Sequence, residues 1–389
     1  MAGSNSECGS ARRQLLVVSF EQFGYHTDSF EYCRYLRDRY RITYLCPDQG
    51  LQRKSMPGVE VLYRESPPLG KVELGLLLEA SRLLRRGHFV MAFLRRTKFS
   101  FLLRLRHWRT PMVLDIRSGS IEESRLRRTI ENGMLRANAA FFSNITVIST
   151  GLAKQLGLSR RAHVLPLGAD QQPAVEEPCR NELRLVYVGT FKNRRLENTV
   201  EGLGEYVRRG AADLPVRYTL VGFGSEEERA AIRDAAAETG LGDRVQVRGR
   251  VDHADLPSLL AEHNIGVACT PQVSWFEHQP STKVFEYLQS GLLCIATDNE
   301  ANREVISSVN GVLVSDSAGG FRRGLEEAVG KLPDWSPQEV ANTFPGQTWE
   351  AIVTDNLAPY LERVCTECAA SLAFWAGLTP TNGVAGSNG

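Results

Sequence analysis

The chain has 389 residues, 42% hydrophobic and 23% charged, with a formal net charge of +1. Its length exceeds what one hydrophobic core normally organises and points to two domains, while the composition excludes a disordered chain and one built for bulk nucleic-acid binding. No apolar run approaches the roughly 20 residues of a bilayer-spanning helix, and Leu15-Leu16-Val17-Val18 is too short for a signal-peptide core, so a cytoplasmic location is expected.

After a small, polar start, residues 15–19 read as a strand, 21–25 as a turn and 28–38 as a helix. Residues 41–47 read as a second strand stopped by its proline, and 59–63 as a third. Helical spacing returns over 72–86. Strands are then expected at 88–94, 112–115, 145–149 and 164–168. Residues 171–181 carry prolines and charges and read as a linker. The pattern then restarts, with a strand over 183–188 ending in Gly189-Thr190, a helix over 196–208, a strand over 217–221 ending in Gly222-Phe223-Gly224, and a helix over 226–239. Strands at 245–247, 265–268, 292–296 and 312–314 complete the second set, helical spacing covers 349–375, and 377–389 reads as a flexible tail.

Strands alternating with helices imply parallel sheets covered on both faces. Two such runs predict an α/β protein of two Rossmann-like domains, at about 14–170 and 182–340, facing each other across a cleft. The eight cysteines are scattered. Cys365 and Cys368 lack the second pair a zinc site needs, which reads as two reduced thiols on a terminal helix.

Two segments carry chemistry. Gly189-Thr190-Phe191-Lys192-Asn193-Arg194-Arg195 lies where a strand ends and a helix begins. Free amides and the helix dipole attract anions there, so phosphate binding stands against a solvated surface loop. In Pro280-Ser281-Thr282-Lys283-Val284-Phe285-Glu286-Tyr287, Ser281-Thr282 caps a helix from 283 to 290 that Gly291 ends. Its amides would face a second anion, and Glu286 is either a ribose acceptor or an ordinary surface carboxylate.

The run from 183 to 314 resembles the donor-binding domain of family 4 retaining glycosyltransferases, the group 1 glycosyl transferases of GT-B fold. The similarity rests on Leu-Val-Tyr-Val-Gly-Thr-Phe at 185–191, Leu-Val-Gly-Phe-Gly at 220–224 and Pro-Ser-Thr-Lys-Val-Phe-Glu-Tyr-Leu-Gln-Ser-Gly at 280–291. In the first half, 145–152, 164–170 and Leu114-Asp115-Ile116-Arg117 are similar to the family's segments, the last at its acceptor-side strand end.

The resemblance implies that Glu286 holds the donor ribose and that Ser281, Thr282 and Lys283, with Arg195 and Lys192, hold the diphosphate beside Gly189 and Thr190. It places the nucleobase near Arg250 and Val251, Gly24 in the loop facing the donor, and Asp115 and Arg117 on the acceptor side. No cofactor and no metal are implied, and the chain has no Asp-x-Asp triplet; basic residues would stabilise the leaving diphosphate. Helices over 345–375 would return to the first domain. Many members carry two glutamates eight positions apart. Here His278 stands eight before Glu286, with Glu277 beside it, so the first glutamate's catalytic role falls to Glu277, to His278 or to neither.

Between 71 and 136 fifteen Lys or Arg stand against six Asp or Glu. Within it, 95–109 mixes cations with apolar residues, as an interfacial helix on anionic lipid does, or as a helix packed on the sheet with its arginines in water. No nucleic-acid motif accompanies it. The expected partners are a UDP or GDP sugar and a saccharide or lipid-linked acceptor, with peripheral membrane contact through 71–136, at the inner face of the membrane. The expected reaction is retaining transfer of a sugar to an acceptor hydroxyl in surface polysaccharide or glycolipid assembly. Its rivals are a nucleotide-sugar 2-epimerase on the same fold and a catalytically silent scaffold subunit.

Overall fold

A computed structural model describes residues 12–65, 72–95, 98–170, 179–210, 214–252 and 255–375. Most of the expected linker and all of the expected tail lie outside these residues, as do Lys71, Arg96 and Thr97 of the basic stretch.

The first sheet has seven parallel strands, β1 (Arg13–Val18), β2 (Tyr40–Asp48), β3 (Val59–Glu65), β4 (Phe89–Arg95), β5 (Met112–Ile116), β6 (Asn144–Val147) and β7 (Ala162–Val164), in the order β3-β2-β1-β4-β5-β6-β7. Helices α1 (Thr27–Leu36), α2 (Val72–Arg86), α3 (Ser100–Arg106), α4 (Arg125–Ala139) and α5 (Thr150–Gln155) connect them. The central strands are buried runs such as Met112–Ile116, which a parallel sheet covered on both faces requires. Pro47 does not stop β2. Pairing with β1 has already ended at Leu45, so the missing N–H costs no ladder bond on that side. The last strand of this sheet stops at Val164, and residues 165–168 continue as a loop.

The second sheet has six parallel strands, β8 (Leu183–Thr190), β9 (Val216–Phe223), β10 (Val245–Arg248), β11 (Ile265–Ala268), β12 (Leu293–Thr297) and β13 (Gly311–Val314), in the order β10-β9-β8-β11-β12-β13. Its helices are α6 (Leu196–Arg208), α7 (Glu226–Glu238), α8 (Leu256–Ala261), α9 (Thr282–Gln289), α10 (Glu300–Arg303), α11 (Ala318–Lys331) and α12 (Pro337–Asn342).

The chain then returns to the first domain. Through α13 (Trp349–Ala351), a π-helical turn (Ile352–Leu357) and α14 (Ala358–Trp375) it packs against α1. Trp349 is buried edge-on to Tyr32, Tyr360 stacks on His163 at 4.3 Å, and Arg39 pairs with Glu362 at 3.1 Å. Of the stretch 95–109, read as an interfacial helix or as one packed on the sheet, Arg95 ends β4 and the other described residues form only the short α3. The long helix α4, by contrast, covers residues to which the sequence pattern assigned no element.

Candidate functional site

In each sheet the strand order reverses beside the first strand, between β1 and β4 and between β8 and β11. Neighbouring strands there send their following loops to opposite sides and leave a crevice at their carboxyl ends, where open α/β sheets bind ligands. Both crevices open into one cleft of about 590 Å³. Ser19, Phe20 and Arg95 line it from the first sheet, and Ala268, Thr270, Ser281, Thr282 and Lys283 from the second.

The second-domain wall is cationic. Ser281 is the extended N-cap of α9, but its hydroxyl makes no capping bond, so the helix amides at the cleft have no side-chain acceptor there. Ser225, by contrast, closes a full capping box on α7. The Tyr287 hydroxyl accepts from Val188 N at 2.9 Å and ties α9 to β8. Lys283 then lies across Gly189, where a Cβ would come within 2.6 Å of its Cε, and its Nζ stands 4.9 Å from the Tyr187 ring centroid. Gly189 has φ +142°, a backbone conformation that demands glycine. Burial first and the Arg194 charge second push the Lys283 amine down to about 7, against the opposing pull of Glu286.

Asn193 and Arg195 both have positive φ, 54° and 50°, on either side of Arg194. This double left-handed turn, uncommon for residues with a Cβ, brings Arg194 into the cleft, its guanidinium 4.8 Å from the Phe276 ring and its Nε buried without a hydrogen-bond partner. Arg195 faces the other way. It pairs with Asp316 at 3.2 Å and lines a neighbouring depression with Glu197 and Trp275, which Arg194 also borders. Of the two, Arg194 lines the cleft in place of the expected Arg195, because the strained turn sets which side chain meets it.

Glu277 and His278, the alternative candidates for the first glutamate's role, do not line the cleft. The Glu277 carboxylate accepts from Glu300 N at 2.9 Å at the start of α10. His278 packs on Gly151, its Nδ1 lies 3.2 Å from Glu300, and its carbonyl accepts from Ser149 Oγ at 2.7 Å. Both side chains are used in holding elements together, leaving Phe276 and Gln279 to face the cavity. Glu277→Ala is expected to cost about 1 kcal/mol in a denaturant melt, the value of a helix cap, while changing diphosphate affinity less than about twofold.

On the first-domain wall, Asp28 is buried and accepts from Arg95 Nη1 at 3.0 Å and Arg117 Nε at 2.8 Å. Arg95 Nη2 lies 2.6 Å from His26 Nε2. A guanidinium only donates, so this nitrogen accepts, and the other ring nitrogen, Nδ1, contacts Asp28 Oδ1. Burial alone would raise the Asp28 carboxyl, but Arg95, His26 and Arg117 together hold it well below the usual carboxylate range. Arg117 also donates to the Leu165 carbonyl at 2.6 Å and lines the cleft. Asp115 does not reach it. It is fully buried on β5, takes a bond from Thr146 at 2.7 Å, and has its carboxyl raised by that burial.

Of the other expected donor contacts, Glu286 sits one turn behind Lys283, half-buried and outside the cavity lining. Lys192 is exposed, and Thr190 Oγ1 accepts from its amide at 3.2 Å. Gly24 packs on the Lys54 side chain. Arg250 bridges the domains, with ring centroids 4.6 Å away at Phe223 and 5.5 Å at Tyr25, and Val251 packs on the core beside it. Sequence reading missed Arg194's role, His26, Asp28 and Arg95. Only the cations of 194–195 had a visible signal.

Residues 182–330 match the family described as Glycosyl transferases group 1. No curated protein matches the sequence. The fold is similar to sucrose-phosphate synthase from Thermosynechococcus elongatus, with TM-score 0.71 and 15% identity over 92% of this chain and 100% of that one. It is also similar to Anabaena HepE in complex with UDP, with TM-score 0.64 and 14% identity over 93% and 99%. A third is the lipopolysaccharide outer core galactosyltransferase WaaB, with TM-score 0.66 and 12% identity over 90% and 99%. Two Rossmann-like sheets sharing one cleft give the chain the GT-B fold, and its second domain matches the group 1 glycosyl transferases.

Proposed function

We propose that the chain transfers a sugar, with retention of anomeric configuration, from a UDP or GDP sugar to an acceptor hydroxyl, without a bound metal. The observation that carries this reading is the cationic pocket of Arg194, Lys283 and the α9 amides at the switch point of the second sheet. Its charge suits a diphosphate, and the half-buried setting strengthens each contact with a leaving group that gains charge as the bond breaks. HepE, of the same fold, is in complex with UDP, which favours a uridine nucleotide.

In the proposed step the bond between anomeric carbon and diphosphate oxygen breaks, and the acceptor oxygen bonds to that carbon on the same face. The acceptor proton passes to the leaving phosphate. The engagement of Glu277 and His278 elsewhere supports a route that needs no carboxylate at that position. Glu286 remains the candidate for the ribose diol, and Arg117, Arg95 and His26 form the acceptor wall. A saccharide or lipid-linked acceptor of surface polysaccharide or glycolipid assembly completes the reading.

Titration calorimetry with UDP and GDP tests it directly. Arg194→Ala is expected to weaken the better nucleotide by about 10-fold or more, the value of charge-assisted contacts, and Arg195→Ala by less than about threefold. Equal losses would contradict the assignment. A product of inverted configuration by NMR would contradict retention.

A further inference from the structure

Helix α4 is amphipathic in the opposite sense to a helix on a soluble protein. Its half-buried positions Arg128, Glu131, Asn132 and Leu135 recur at i, i+3, i+4 and i+7 and face the body, with Glu131 lining the cleft and Arg128 lying 4.3 Å from the Trp275 ring. On the opposite side Leu126, Ile130 and Met134, at i, i+4 and i+8, are 71%, 53% and 50% exposed. Burial of the helix is confined to Asn138 and Ala139 at its end, where Asn138 bonds Ser100 and Phe101 of α3. The adjoining α3 segment adds Leu105 and Trp108, both more than half exposed. Arg125, Arg127 and Arg136 are exposed along α4, and Glu131, its one acid, is turned to the cleft.

We propose that α4 is an interfacial helix that seats the first domain on an anionic lipid surface. An outward apolar stripe bordered by arginines is the pattern of a helix lying in a headgroup layer, where apolar side chains leave water while guanidinium groups meet anionic headgroups. A second copy of this chain fits the charge less well, since a two-fold contact through this face would set its arginines against themselves. No described helix is long and apolar enough to cross a membrane, so the contact is peripheral. Because the inner face of the same helix lines the cleft, a docked domain holds its acceptor side at the lipid surface, suiting an acceptor carried on a lipid. That last consequence rests on the glycosyltransferase reading, whereas the docking does not.

The test is co-sedimentation of the full chain with vesicles of phosphatidylcholine, alone or mixed with phosphatidylglycerol. Binding to the mixed vesicles is expected at low salt, weakening as salt rises. Ile130→Ser with Met134→Ser should lower it by about 10-fold or more, and Arg127→Gln by about fivefold. The melting temperature and UDP affinity of these variants should stay unchanged, since none touches the donor pocket. Failure to bind the mixed vesicles, or binding undiminished by the serine pair, would overturn the proposal. So would a solution dimer that the serine pair splits, because a second copy would then cover the face. Loss of UDP binding by the unaltered chain would instead count against the proposed function, leaving the vesicle result standing.

Discussion

Lys283→Met is expected to weaken nucleoside diphosphate binding by about 10- to 100-fold, the loss of one or two charge-assisted hydrogen bonds in a site shielded from water. The unaltered protein should also show a pH signature. With the amine pushed down to about 7, the free protein is losing the Lys283 proton near neutrality, while a bound diphosphate favours the ammonium. Binding therefore takes up a proton, and affinity falls as pH rises above 7. Lys283→Arg, whose charge does not titrate in this range, should flatten the profile where it still binds. Stability moves the other way. Between about 7 and the ordinary 10.5 the unfolded chain holds this proton more tightly than the folded one, so the lysine's contribution improves as pH rises and is worst below 7. Lys283→Met should thus leave the unliganded melting temperature unchanged or higher. Calorimetry in two buffers of different ionisation enthalpy reads the proton directly, and pH-independent binding would sink the assignment.

Asp28→Asn should be the most damaging substitution for stability, about 3–5 kcal/mol, because it leaves Arg95 and Arg117 buried without their shared counter-ion. The neighbouring Asp115 cannot replace it, standing 3.8 Å from Arg117 with its own carboxyl raised. The linkage has a definite sign. Asp28 is held well below its ordinary value of 3.8, so its stabilisation is fully present above that value and disappears as pH falls through the lower, folded-state value. Urea melts across the acid limb should show a steep decline for the unaltered protein and a shallower one for the variant. A melt unchanged at neutral pH would show that the two guanidinium groups find other acceptors. The same substitution should also disturb the acceptor wall, since Asp28 orients the Arg117 guanidinium at the cleft.

The alternation of strands and helices, the two parallel sheets and the helical stretch at 349–375 were legible in order, because each depends on local hydrophobic spacing that the chain carries along its length. The segment from Pro280 to Tyr287 was legible too, as a helix start, and Ser281, Thr282 and Lys283 line the cleft. Pro47 misled because its effect depends on a neighbour strand that ends two residues earlier. The site was less legible than the fold. Whether Arg194 or Arg195 meets the cleft is decided by two positive φ angles that neighbouring packing imposes, and adjacent residues on a turn have no periodicity to separate them. Glu277 and His278 turn away because Glu300 N, Glu300 Oε2 and Gly151 are within reach only in the folded chain. Asp28, Arg95 and Arg117 become one cluster only when three separate segments close around a common carboxylate. The outward apolar stripe of α4 follows the same logic. Its spacing is written in the sequence, but which side faces the body depends on Asn138 anchoring one end and on Glu131 meeting the cleft. Local spacing determined the elements and their order; long-range contacts, which alone choose the direction of each side chain, decided the chemistry.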